Sequence, residues 1–125
     1  MSAGPKVDLD SATYWAAVRE HRIVLQQCAS CGKKRFPPMP SCPWCATPGG
    51  TDVESDGHGV VYSWVTVHRQ LTVPRDVPYT VATVELDDGP RMLGRLDGEA
   101  VADARVEPTF VDHDDWTELR FRVVP

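Results

Sequence analysis

Every cysteine of the chain falls in one of two pairs of equal spacing, Cys28-Ala-Ser-Cys31 and Cys42-Pro-Trp-Cys45, with ten residues between them. A two-residue gap turns both sulfurs of a pair toward one point, so two such turns supply the four ligands of a tetrahedral Zn²⁺. That is the spacing of a zinc ribbon. Gly32, just past the first pair, can take the positive φ of a tight knuckle, and Pro43 stiffens the second. The other use of four cysteines is two disulfides, formed within each pair or crossed between them. An unsecreted chain sits in a reducing compartment where thiolates persist, which favours the metal. No His or carboxylate stands in register with the cysteines to replace one or to leave a coordination position open for water. The expected centre is therefore closed and structural, one Zn²⁺ held by Cys28, Cys31, Cys42 and Cys45.

At 125 residues, 42% hydrophobic and 25% charged, the composition is globular and the length suits one domain or two small modules sharing a core. A formal net charge of −5 gives no general attraction for phosphate backbones and argues against a nucleic-acid partner. No apolar run approaches the ~20 residues of a membrane span, and Met1 to Pro5 opens no signal-peptide core. The expectation is a cytoplasmic protein with no membrane partner.

Asp10 and Ser11 are helix-capping types, and residues 12–21 hold no Gly or Pro, so a short helix is expected from about 11 to 21. Tyr14, Ala17 and Val18 share a face, with Trp15 to the side; so short a helix must dock on the rest of the chain or on a partner. Residues 23–27 and 33–36 flank the first knuckle and make a small hairpin, while Pro37-Pro-Met-Pro40 cannot join a ladder and reads as an extended strap. Residues 46–50, with Ser55, Asp56 and Gly57, read as a flexible exit and a boundary. The expected organisation is a flexible N-terminus over 1–9, helix and Cys₄ ribbon over 10–55, and a β barrel over 56–125. In the last part, strands are expected at 60–68, 79–86, 91–96, 104–111 and 116–124, with a long loop at 70–78. Five short strands with no helix among them are few for a sandwich. They fit a small closed barrel, either an OB-fold or an SH3-like barrel.

The order of these features, from Tyr14-Trp15 through Leu25-Gln-Gln-Cys28, the Phe36-Pro37-Pro38 strap and Cys42-Pro-Trp-Cys45 to Gly59-Val-Val-Tyr-Ser63 and Val81-Ala-Thr-Val-Glu-Leu86, resembles a family of acyl-CoA-associated proteins. The resemblance runs from about residue 10 to the end. It implies a mainly β fold in which a short helix and a rubredoxin-like zinc ribbon precede a five-stranded OB-fold. It also implies a non-catalytic accessory role beside a thiolase-like, lipid-transfer-protein-type subunit, in an aldolase that cleaves a steroid-type 3-hydroxyacyl-CoA and releases a short acyl-CoA. Some relatives carry an enoyl-CoA hydratase domain, which makes a hydratase a second candidate partner. Alternatives are a scaffold for ketothiolase (Claisen) chemistry, a stand-alone acyl-CoA-binding protein and, against the charge, a single-stranded nucleic-acid binder.

The residues themselves offer no catalytic constellation. His21, His58, His68 and His113 are scattered, and no Gly-rich phosphate loop or nucleophile elbow is present. Asp112-His-Asp-Asp115 reads as a solvated turn in preference to a metal site. Arg91 and Arg95 share a strand face and either meet a CoA phosphate or offset the acidic surface. Tyr14, Trp15, Phe36, Met39 and Trp44 are too many large apolar groups for such short segments to bury, and are expected at a partner interface. For Trp44 the alternative is packing against the barrel.

Overall fold

The helix forms where expected but shorter, as α1 (Ala12–Arg19), and its two ends are built differently. Ahead of it, Asp8 and Ser11 bond reciprocally: the Ser11 N–H donates to Asp8 Oδ1 (2.8 Å) and the Asp8 N–H donates to Ser11 Oγ (3.2 Å). Behind it, the N–H groups of His21 and Arg22 return to the carbonyls of Val18 (2.8 Å) and Ala17 (2.9 Å). This is a Schellman stop with His21 in the left-handed position, at φ 61°, where glycine is usual. The computed structural model describes residues 4–70 and 76–125. The expected N-terminal tail falls partly, and the 70–78 loop mostly, outside them.

Three strands follow in one small sheet: β1 (Ile23–Gln27), β2 (Lys34–Arg35) and β3 (Thr51–Ser55), with β1 in the centre and both neighbours antiparallel. The third strand lies just past the expected flexible exit at 46–50, in a stretch that the sequence marks as a boundary and not as a strand. Thr51-Asp-Val-Glu-Ser55 has one apolar residue and follows two glycines, so its local pattern is that of a linker. It becomes a strand because β1 offers an open edge, and Val53 pairs with Leu25. Tertiary pairing overrides a weak local propensity.

The remaining strands are β4 (Gly59–Val67), β5 (Tyr79–Leu86), β6 (Arg91–Asp97), β7 (Arg105–Asp112) and β8 (Thr117–Val123). They close in the order β4-β5-β6-β8-β7, with β6 and β8 parallel and every other pair antiparallel. A five-stranded barrel in which the third strand runs parallel to the fifth is the OB arrangement, which decides between the two barrels left open by the sequence. Val61, Ala82, Val84, Leu86, Met92, Leu96, Val106, Leu119 and Phe121 fill it. Tyr14, Val18, Ile23 and Leu25 belong to the same cluster, so α1 and β1 share the barrel's core.

Closure depends on one close approach. At Gly59, β4 pairs with Leu86 on one side and Val106 on the other, and an added Cβ would lie 2.3 Å from the Glu85 carbonyl oxygen. Backbone cannot yield as a side-chain tip can. Gly59→Ala is expected to cost about 3 kcal/mol, the upper end for overpacking, and to lower the melting temperature by on the order of 10 °C. Zinc content should stay at the wild-type value, which metal analysis beside a thermal melt checks.

Candidate metal centre and the adjoining cleft

The two knuckles repeat one backbone pattern. The Cys28 N–H donates to Lys33 O (3.0 Å) and the Gly32 N–H returns to Cys28 O (3.0 Å); the Cys42 N–H donates to Thr47 O (2.9 Å) and the Ala46 N–H returns to Cys42 O (2.9 Å). Positions 32 and 46 are equivalent and both left-handed, at φ 76° and 65°. Together the knuckles bring all four sulfurs within 4.8 Å of one another. Cys28 Sγ lies 3.5 Å from Cys45 Sγ, and Cys31 Sγ lies 3.7 Å from Cys42 Sγ. A regular tetrahedron with Zn–S of about 2.3 Å has edges of about 3.8 Å, so the sulfurs fit a Zn²⁺. All four are free of disulfides. Among the described residues this is the only such cluster, and the Asp112–Asp115 turn does not form one.

The thiols do not share one ionisation behaviour. The Cys31 N–H pulls Cys28 down to about 6, against its burial and with help from the Ser30 N–H. For Cys42, burial opposes ionisation, but the N–H groups of Cys45 and Trp44 contribute to a net lowering. Cys31 is pushed up to about 11: the Lys33 N–H favours its ionisation, and burial with the neighbouring sulfurs outweighs it. Four like charges so close need a cation among them.

Arg35 holds the ribbon around this centre. It is 1% exposed and, among the described residues, the largest fully buried side chain. Its Nε donates to Gln26 Oε1 (2.9 Å), and Nη2 donates to the carbonyls of Gly49 (2.7 Å) and Met39 (3.1 Å). Gln26 Oε1 also accepts the Met39 N–H (2.8 Å). One guanidinium thus ties β1, the proline strap and the exit of the second knuckle. Sequence reading missed it, because an arginine in a lysine-rich run reads as surface. Its neighbours give a partial signal, since Gly50 leaves no room for a side chain, with an added Cβ 3.0 Å from Arg35 Nη2.

Beside the ribbon lies a cleft of about 670 Å³, lined by Lys33, Lys34, Phe36 and Trp44 on the ribbon and by the Asp88-Gly89-Pro90 turn and Arg91 on the barrel. Lys34 Nζ reaches Asp88 Oδ1 (3.5 Å), and Asp88 also accepts a short hydrogen bond from the Ser55 hydroxyl. Arg91 sits over the Tyr62 ring (3.8 Å) and pairs with Glu85 (3.3 Å). The Lys33 ammonium stands 5.2 Å from the Trp44 ring centroid.

The candidate interface residues separate. Tyr14 is in the core, its hydroxyl pushed up to about 12 by burial, because α1 turns this face to β1 and the barrel. Phe36 is half-buried against Tyr14 (5.2 Å) and Trp15 is half-buried against Trp116 (6.2 Å). Met39 is half-buried and Trp44 is 56% exposed. Arg95 is parted from Arg91 by about 13 Å of strand and stacks on Tyr79 (5.2 Å), away from the cleft. His21 pairs with Asp112 (2.9 Å) and stacks on Phe110, and His113 pairs with Glu118 (3.1 Å) and stacks on Trp116. The first ties a residue just past α1 to β7, and the second lies wholly within the β7–β8 hairpin. His58 and His68 are exposed and do not line the cleft.

Fold and centre together define a zinc-ribbon/OB-fold protein. Residues 15–49 match the family described as ChsH2, rubredoxin-like zinc ribbon domain, and residues 52–111 match ChsH2, C-terminal OB-fold domain. The chain belongs to this ChsH2/DUF35 family. A solved chain of an Ltp2-ChsH2(DUF35) aldolase is similar to it with a TM-score of 0.86 and 34% identity, over 96% of this chain and 98% of that one. The probable enoyl-CoA hydratase alpha subunit of Thermomonospora curvata is 36% identical over 91% of this chain. The 3-oxo-4,17-pregnadiene-20-carboxyl-CoA hydratase alpha subunit of Mycobacterium tuberculosis is 35% identical over 90%. The chain spans 35% and 37% of the lengths of these two relatives. Among its own described residues, no helix is long and apolar enough to cross a membrane.

Metal analysis of the purified chain is expected to find one Zn²⁺. Arg35→Met should weaken zinc retention by at least about tenfold in a chelator competition, as loss of a group supporting metal ligands does. Equal retention by the variant would show that the sulfurs hold their geometry without the clasp.

Proposed function

We propose that the chain is a non-catalytic accessory subunit of a thiolase-superfamily acyl-CoA complex. The observation that carries this reading is its end-to-end likeness to the ChsH2 chain of an aldolase, at 34% identity. Within that class, the reaction is retro-aldol cleavage of a steroid-type 3-hydroxyacyl-CoA, releasing a short acyl-CoA. Such a step needs a base to take the hydroxyl proton as the carbon–carbon bond breaks, and an acid to protonate the resulting thioester enolate. The cleft lining has no His, Ser or Cys, and the four cysteines are committed to the metal. The thiolase-like partner brings the acid and base, and this chain orders the partner's site or its substrate.

With Tyr14 internal, the docking surface shifts to groups that are exposed. Trp44 is one. The others lie on the barrel flank, where Val65 (62% exposed) on β4 and Leu93 (68% exposed) on β6 stand on the two strands either side of β5, with exposed Tyr62 also on β4. Tyr62, 53% exposed, sits at an irregularity in the β4–β5 register between Val61 and Ser63. Aromatic and aliphatic groups grouped in this way are what interfaces use as anchors.

The likeness to two hydratase alpha subunits favours a second reading, in which the chain supplies the ribbon and barrel of a hydratase assembly. Mixing the chain with each kind of partner separates the two. The expected result is a stable complex with the thiolase-like subunit and cleavage of a 3-hydroxyacyl-CoA by the mixture, with no turnover by the chain alone. Leu93→Glu should weaken that association by about 2 kcal/mol, the scale of an interface anchor, with zinc content unchanged. Complex formation only with a hydratase subunit would establish the second reading, and turnover by the isolated chain would overturn both.

A further inference from the structure

The cleft between ribbon and barrel is not explained by a docking role. Its 670 Å³ lies within the range of about 300–1,000 Å³ typical of small-molecule sites. In a chain of net charge −5, its lining gathers four cations, Lys33, Lys34, Arg35 and Arg91, against the two carboxylates of Glu85 and Asp88. Both carboxylates are already engaged, Glu85 by Arg91 and Asp88 by Lys34 and Ser55. Arg35 has no carboxylate and leaves its buried Nη1 without a partner. Among the described residues Lys33 likewise has no carboxylate partner, and its ammonium faces the ring of Trp44.

A half-exposed indole beneath a free ammonium suits one kind of ligand. The ring offers a stacking face to a planar base, and the ammonium offers a charge to a phosphate on the same molecule. Cations stand on both walls, Lys33 and Lys34 on the ribbon and Arg91 on the barrel. A nucleotide phosphorylated on both sides of its ribose can meet both, whereas one phosphorylated on one side can meet only one.

We propose that this cleft binds the 3′-phosphorylated adenine nucleotide end of a CoA thioester, with the base on Trp44, one phosphate at Lys33 and Lys34, and the other at Arg91. The proposal deepens the reading above and rests on it for the choice of CoA over other nucleotides. Arg91 and Lys34 are held ready by their carboxylates and share them with the ligand on binding. Arg95, on the same strand, takes no part.

The test uses the zinc-loaded chain alone, titrated by calorimetry and tryptophan fluorescence with adenosine 3′,5′-bisphosphate, CoA, dephospho-CoA and ATP. Saturable binding of the bisphosphate and of CoA is expected with a Kd below about 1 mM, and dephospho-CoA and ATP should bind at least about tenfold more weakly, the worth of one charge-assisted contact. Lys33→Glu and Arg91→Ala should each reduce CoA affinity by about tenfold or more, while Arg95→Ala and Leu93→Glu leave it unchanged. Zinc content and circular dichroism verify that each variant is folded. Equal binding of ATP and CoA would overturn the assignment to CoA. No saturation by the bisphosphate, or affinity indifferent to both cleft variants, would overturn the site. Partner association is measured separately without nucleotide, so a chain that binds CoA and no thiolase-like subunit contradicts the accessory role alone. A chain that binds the subunit and no nucleotide contradicts the cleft alone.

Discussion

Four sulfurs within 4.8 Å set the terms for the N-terminal half of the molecule. Between the knuckles, β2 is two residues long and the strap is mostly proline, so apolar burial has little to work with there. Apart from Arg35, the buried groups of this region are Cys28 and Cys42 themselves, at 2% and 3% exposure. A metal that satisfies the thiolates takes the place of a core. β1 carries that order onward. One end runs into Cys28, and the other contributes Ile23 and Leu25 to the barrel's apolar cluster. A single strand therefore has its register fixed by the metal centre at one end and by side-chain packing at the other.

What joins the ribbon to the barrel is mainly that shared packing, supplemented by polar contacts of unequal worth. Arg22–Glu54, within the ribbon half, and Arg105–Asp87, within the barrel, do not span the junction, and as exposed pairs screened by water they contribute little. Asp88 is better placed, with about a quarter of its side chain exposed and with Lys34 and Ser55 both bonded to it. Arg19 does similar work for α1, with Nη1 reaching the carbonyls of His113 and Trp116 (2.8 Å each) and Nη2 that of Asp114 (3.0 Å). The acidic turn Asp112–Asp115 owes its shape to backbone carbonyls gathered on this one guanidinium. Its carboxylates have a different use: Asp112 is held below the usual carboxylate range first by the Thr117 hydroxyl and then by His21.

Patterns that repeat at short range were legible in the sequence. The cysteine spacing led to the metal site, β-branched runs led to five barrel strands, and the Gly- and Pro-free stretch led to α1. What could not be read depends on contacts distant in sequence. β3 exists because β1 has an edge to fill, and nothing within Thr51–Ser55 announces it. Arg35 looks like one more surface cation until Gly49, Met39 and Gln26 close around it. Tyr14 and Trp44 are alike as sequence symbols, yet one is core and the other open, since the face of α1 is set by where β1 and the barrel lie. Strand order separated the OB-fold from the SH3-like barrel, and strand order is absent from a local pattern.

The cleft's electrostatics bear on how a subunit without a nucleophile could still influence catalysis. Two of its cations are already paired, so an entering phosphate gains only the difference between its own contact and the one it displaces. Around an acidic protein at physiological salt, attraction from outside is screened within about 8 Å. Affinity of the free chain for an anion is then necessarily modest. A partner that covered the cleft would exclude water and lower the local dielectric, and the same ion pairs would grow stronger. Linkage makes that effect mutual: whatever factor the partner adds to ligand affinity, the ligand adds to partner affinity. A subunit of this kind would assemble more tightly on a substrate-loaded enzyme than on an empty one, and so act on turnover through binding alone.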